Sequence, residues 1–184
     1  MATDTNQLLL DSEQEDNIEN TFLTFSLEQE QYAVNIAHVT EIVGMQKISE
    51  VPDVPGFIKG VTNLRGQVIP VMDMRLRFNL PWQEYDDRTT IIVLELDNTA
   101  TGLIVERVNE VLDIQPGQID PPPRWHNGGN QGVIRGLGKT EDSVNIILDV
   151  RRLLNGLETE ELISASEFAL QPRPELETRA TVSH

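Results

Sequence analysis

A chain of 184 residues has room for one ordinary domain, or for two very small ones sharing an interface. It contains no cysteine, which excludes disulfides, thiolate metal sites and cysteine nucleophiles together. Its formal net charge of −16 disfavours nucleic acid and anionic membranes as direct ligands, because either demands a basic surface.

The acidity is uneven. Residues 1–46 carry nine acids and no Lys or Arg, residues 155–184 carry six acids and two arginines, and residues 47–154 are nearly balanced with fifteen against twelve. The N-terminus has no positive segment followed by an apolar run, and no stretch is apolar for long enough to cross a bilayer, so a cytoplasmic location is expected. Residues 1–20 hold six acids and only the short Leu8-Leu9-Leu10 run. That is too little apolar surface to offset ordering, and a disordered acidic arm is expected.

From Thr21 the period becomes two. Leu23, Phe25 and Leu27 alternate with Phe22, Thr24 and Ser26, and after a polar turn Tyr32, Val34 and Ile36 face one way, which predicts a β-hairpin. Phe57 to Leu64 and Gln67 to Met72 then flank Arg65-Gly66, a polar residue and a glycine between β-branched runs, the local signature of a second hairpin. Asp73 precedes Met74-Arg75-Leu76-Arg77-Phe78 and reads as the N-cap of a short helix.

After a polar linker from Leu80 to Arg88 the pattern repeats. A shift of 69 places Thr21 to Val43 on Thr90 to Leu112 without a gap, with Val39 on Val108, Glu41 on Glu110 and Ile42 on Val111. A shift of 76 places Ile58 to Phe78 on Ile134 to Leu154, with Lys59 on Arg135, Gly60 on Gly136, Asp73 on Asp149 and Arg75 on Arg151. The seven-residue difference between the shifts is an insertion, and Pro121 to Gly129 is composed as a surface loop. The chain is therefore a duplicated β unit, and the terminal helical turn and about five short strands in each copy suit a small closed barrel. The units are expected at about 21–80 and 88–154, sharing an apolar interface with a groove between them. Glu158 to Leu170 could form an acidic helix before Pro172 and Pro174 stop it, leaving a short tail.

No catalytic pattern emerges. His38, His126 and His184 share no spacing, and His38 reads as a strand-surface residue. Gly136-Leu137-Gly138-Lys139-Thr140 lacks the first glycine of a phosphate loop, since Val133 occupies that position, and it lies inside a β repeat. Asp86-Asp87 reads as a solvated turn, and Glu110 as a solvent-facing strand residue. The central hairpin is more informative: Lys59, Arg65, Arg75 and Arg77 face one acid, Asp73, while the preceding strand carries Glu41 beside Val39, Ile42 and Val43. Mixed charged and apolar surface of that kind suits protein docking, with charges fixing register and apolar groups supplying affinity, although a solvated turn would carry the same charges.

Several stretches together resemble the CheW coupling proteins of bacterial chemotaxis. They are Tyr32-Ala33-Val34-Asn35-Ile36, Val39-Thr40-Glu41-Ile42, Val51-Pro52, Pro55 to Gly66, Ile69-Pro70-Val71-Met72-Asp73-Met74-Arg75, Gly102 to Val108, Val111-Leu112 and Ile134 to Gly138. The likeness covers about Thr21 to Leu154. It implies an all-β fold of two intertwined SH3-like five-stranded barrels with short helices. It further implies a non-enzymatic adaptor, without cofactor or metal, between the cytoplasmic tips of methyl-accepting receptors and a CheA-like histidine kinase, recruited to the inner face of the membrane through receptor arrays. Carried over by position, Val39, Arg65 and Val108 fall to receptor recognition, and Glu41, Ile42, Lys59 and Gly60 to the kinase-facing edge. A coupling protein of a non-flagellar pathway, or an enzyme using the inter-barrel groove, are the competing readings.

Overall fold

The computed structural model describes residues 18–122 and 132–155. The expected acidic arm up to residue 17, residues 123–131 of the proline- and glycine-rich loop, and the acidic helix and tail beyond residue 155 lie outside the described residues. Eleven strands are described. The first repeat supplies β1 (Thr21–Leu27), β2 (Glu30–Asn35), β3 (Val39–Gly44), β4 (Ile58–Leu64), β5 (Gln67–Asp73) and helix α1 (Met74–Arg77). The second supplies β6 (Thr90–Leu96), β7 (Thr99–Val105), β8 (Arg107–Asp113), β9 (Ile119–Asp120), β10 (Ile134–Lys139), β11 (Val144–Leu148) and helix α2 (Val150–Asn155).

The two repeats exchange their first hairpins. One sheet has the order β3-β6-β7-β5-β4 and the other β8-β1-β2-β11-β10-β9. Apart from the added β9, these are the same order once β6, β7 and β8 are read as the counterparts of β1, β2 and β3, and β10 and β11 as those of β4 and β5. Each sheet takes a hairpin from one half of the chain and its remaining strands from the other, the intertwined two-barrel architecture that the resemblance implies. The parallel pairs recur as well, β5 with β7 and β11 with β2.

Each barrel closes through the segment that leaves its edge strand. In the first barrel the chain beyond β3 crosses to β4, where Ser49 and Val61 exchange N–H···O bonds of 2.8 and 2.9 Å. In the second, the chain beyond β8 becomes β9 and pairs Asp120 with Leu137 and Ile119 with Gly138. The crossing explains Gly60: its φ is +142°, and a Cβ there would lie 2.0 Å from the Ser49 carbonyl oxygen, so only glycine allows the two backbones to approach. Lys59, just before it, is the extra residue of a bulge, since Ile58 pairs with Met72 and Gly60 with Val71.

The alternation of β1 and β6 does not separate core from solvent. It separates two cores. On β6, Ile91 and Val93 point into the first barrel with Ile69, Val71 and Ile104, whereas Ile92, Leu94 and Leu96 join the larger core between the barrels with Leu23, Phe25, Leu27, Met72, Met74 and Leu103. On β1, Phe22 fills the second barrel beside Ala33, Ile114 and Ile147. A strand buried on both faces reads as a near-continuous apolar run, which is what Ile91-Ile92-Val93-Leu94 is.

Two expectations are corrected. β2 ends at Asn35, whose side chain accepts a hydrogen bond from the Ala37 N–H and starts a 3-10 turn over Ile36–His38. Ile36 packs on the same core as Tyr32 and Val34, as the alternation predicts, but from a turn and not from the strand, and His38 closes that turn instead of lying on a strand surface. An Asn followed by a local side-chain-to-backbone bond competes with the ladder there. Asp73 does cap α1, its carboxylate accepting from the Arg75 and Leu76 N–H groups. No described helix is long and apolar enough to cross a membrane.

Candidate docking surface

The turn at the centre of the sequence is a two-residue hairpin loop. Leu64 pairs with Gln67, and Arg65 and Gly66 both have positive φ, +53° and +85°, as a turn matched to strand twist requires. The Asn63 side chain accepts from the Gly66 N–H at 2.9 Å and stiffens it. This projects Arg65 outward, and its guanidinium lies 2.6 Å from the Glu41 carboxylate on β3. β3 and β4 are the two edge strands of the first sheet, so the pair spans the mouth of the barrel. Arg65 remains 82% exposed at its side chain and Glu41 24%, which leaves most guanidinium donors facing solvent. Beside Glu41, Ile42 is 45% exposed, an aliphatic side chain turned outward on an edge strand.

Of the residues assigned to docking, Glu41, Ile42 and Arg65 are thus brought together. Val39 begins β3 and packs, half-buried, against the core between the barrels. Val108 does the same from β8 of the other barrel, so this pair borders the inter-barrel core from two sides. Lys59 sits apart from Arg65 along β4, with its ammonium 5.9 Å from the centre of the Trp82 ring. Gly60 is buried, and its contribution is the close backbone crossing described above.

Two cations read as docking charges are differently employed. Arg75 is a buried structural group: it donates to the Pro81 carbonyl at 2.8 Å and to Glu28 at 3.0 Å, and it is paired with Glu106. Arg77 lies 5.3 Å from the Phe57 ring, and burial lowers its pKa from the usual arginine value. The second barrel has no equivalent of the Arg65–Glu41 pair in kind, because Glu141 occupies the position matching Arg65 and Glu110 the one matching Glu41.

Among the described residues, the linker contributes groups that sequence reasoning overlooked. Trp82 is 54% exposed and lies edge-on to Tyr85, ring centres 6.1 Å apart. The Tyr85 hydroxyl donates to Asp73 at 2.7 Å. Burial first, and then that bond and the Asp73 charge, push the Tyr85 pKa well above the ordinary tyrosine value. An aromatic pair inside a polar linker was the available signal. Asp86 folds its own turn by accepting from the Arg88 and Thr89 N–H groups, in keeping with a structural reading. The segment Gly136 to Lys139 lies within β10 and carries no phosphate-loop geometry.

The family model described as CheW-like domain matches residues 21–158. The chain belongs to that family. A CheW chemotaxis protein of Klebsiella aerogenes is 36% identical over 137 residues, covering 74% of this chain and 82% of its own length. That of Bacillus subtilis is 33% identical over 133 residues, covering 72% and 85%. The crystal structure of the scaffolding protein TtCheW from Thermoanaerobacter tengcongensis superposes with a TM-score of 0.68 at 34% identity, covering 74% of this chain and 92% of that one. The two-barrel exchange described above is therefore the CheW-like fold, and the matched span contains both barrels and both helices.

Proposed function

We propose that this CheW-like domain is a chemotaxis adaptor that holds methyl-accepting receptors and a CheA-like histidine kinase in one assembly, at the inner face of the membrane. Membership of a family with relatives that are chemotaxis proteins and with a solved structure of a scaffolding protein among them supports the adaptor role. The observation that carries the docking assignment is the pairing of Arg65 with Glu41 beside exposed Ile42. A charged pair fixes register and a neighbouring aliphatic group supplies affinity. An adaptor of this kind acts by contacting two kinase states unequally, not by catalysis. Val39, Arg65 and Val108 are proposed to meet the receptor, and Glu41, Ile42 and Lys59 the kinase, with Gly60 shaping the strand that carries Lys59. The test is co-sedimentation with receptor-containing membranes, with and without the kinase, while autophosphorylation is followed. Co-sedimentation of all three with kinase activity dependent on this protein supports the reading; binding to neither partner overturns it.

A further inference from the structure

We infer that Arg75 is a positioning residue that fixes the two barrels at one relative orientation, and so sets the geometry in which the adaptor presents its surfaces to two partners. Arg75 follows β5, in the first barrel. Its Nη2 donates to Glu28 at 3.0 Å, in the β1–β2 turn of the second barrel. Nη1 is paired with Glu106, which stands where the chain passes from β7 of the first barrel to β8 of the second. Nε donates to the carbonyl of Pro81 at 2.8 Å, in the link between the repeats. The ring of contacts closes through the Glu28 N–H, which donates to the other Glu106 oxygen at 2.9 Å. All three nitrogens of one guanidinium are thus engaged by groups from both barrels and the link.

The duplication gives an internal comparison. Arg151 matches Arg75 and Asp97 matches Glu28, and Arg151 donates to Asp97 at 2.9 Å. The same tie therefore occurs twice, from the helix of one barrel to the hairpin turn of the other. The second tie is open to water, with side chains 58% and 59% exposed, whereas the Arg75 side chain is 11% exposed. Ala37 occupies the position matching Glu106, so no carboxylate stands at the corresponding place beside the second tie. An exposed pair contributes little to rigidity, while a buried planar guanidinium held at all three of its nitrogens is strongly directional. The apolar core between the barrels is held by a non-directional force, so polar ties of this kind are what give the joint direction. Tyr32 of β2 stacks on Phe78 at the end of α1, ring centres 5.2 Å apart, and packs the same joint.

The functional half of this inference rests on the adaptor reading, so the experiment reads orientation and coupling separately. The absence of cysteine permits spin labels at two introduced sites alone, Glu95→Cys in the first barrel and Arg135→Cys in the second, both at exposed strand positions. Pulsed dipolar distances between them should be narrow in the parent, broadened or displaced by Arg75→Met, and unchanged by Arg151→Met. In reconstituted receptor–kinase complexes, Arg75→Met should lower kinase stimulation by about tenfold while binding to receptor alone and to kinase alone persists. A distance distribution unchanged from the parent's in both centre and width overturns the inference whatever the partners prove to be, and a broadened or displaced one with full coupling overturns its functional half. If Arg75→Met fails to fold, Arg75→Met with Glu28→Gln and Glu106→Gln removes the stranded charges. Failure of that variant too would make the group a requirement of folding, not of orientation, and would also overturn the inference.

Discussion

Arg65 and Glu41 are joined by a short ion pair, yet the pair does little for the fold. With the Arg65 side chain 82% exposed, solvent and salt screen the attraction, and its loss changes stability by about 0–1 kcal/mol. Arg65→Glu is therefore expected to leave the unfolding midpoint nearly unchanged while weakening co-sedimentation with receptor membranes. Combining it with Glu41→Arg restores an ion pair of opposite sense, and docking should stay weak because a partner reads which strand carries which charge. Recovery of docking in the double variant would show that the pair matters only to itself. Gly60 behaves in the opposite manner. Gly60→Ala places a methyl carbon 2.0 Å from the Ser49 carbonyl at a φ of +142°, with backbone rather than a flexible side chain in the way. Two faults at one atom should cost about 2–4 kcal/mol, read as a lower denaturation midpoint. A docking defect with unchanged stability would instead move Gly60 into the interface itself.

At the scale of elements, strands and turns were legible because their signals are local. Arg65-Gly66 between β-branched runs specified its own turn, and Asp73 capped α1 through bonds to residues two and three positions on. The gapless shifts of 69 and 76 carried the duplication, but not which hairpin joins which sheet, since self-similarity within a chain is silent about partners in space. The role of Arg75 was hidden for the same reason: Glu28 and Glu106 lie 47 and 31 residues away, and only the fold unites them. The end of β2 and the setting of His38 were missed because the Asn35 side chain starts a turn where the alternation alone continued a strand, although Ile36 still faces the core with Tyr32 and Val34. Tyr85 ties the linker to the α1 cap, and that tie has a pH signature. The raised pKa keeps Tyr85 protonated when folded, while unfolding returns it to the ordinary value of 10.0. Above that pH the unfolded state binds fewer protons than the folded one, so stability falls as pH rises. Below it the contribution is complete and flat. Tyr32, raised by burial and then by Glu30 and Glu28, adds in the same direction. Tyr85→Phe should flatten the alkaline fall in denaturation midpoint and, by leaving one Asp73 oxygen without its donor, remove about 1–3 kcal/mol at neutral pH. An unchanged alkaline slope would mean that the hydroxyl is not held as described.

For the whole molecule, the exchange of hairpins makes the two halves of the chain unlike ordinary domains. β1 pairs outward with β8 and β2 with β11, while β6 pairs with β3 and β7 with β5, so neither half can complete a sheet alone. The core between the barrels mixes both halves: Leu23, Phe25 and Met72 from the first meet Ile92, Leu103 and Leu148 from the second. A large apolar core shared in this way should make unfolding one cooperative event, with both sheets lost together. A protease site introduced between the exposed linker residues Gln83 and Glu84 tests this directly. After cleavage the two pieces should remain one particle in native buffer, with a single but lower unfolding transition, because the cut removes only the covalent link that kept the halves at high effective concentration. Each piece purified in denaturant and diluted alone should lack a cooperative transition, and mixing the two should restore it in proportion to their concentrations. Independent folding of either piece would mean that each half can close a barrel with its own hairpin, and that the exchange is a preference of the joined chain instead of a requirement of the strands.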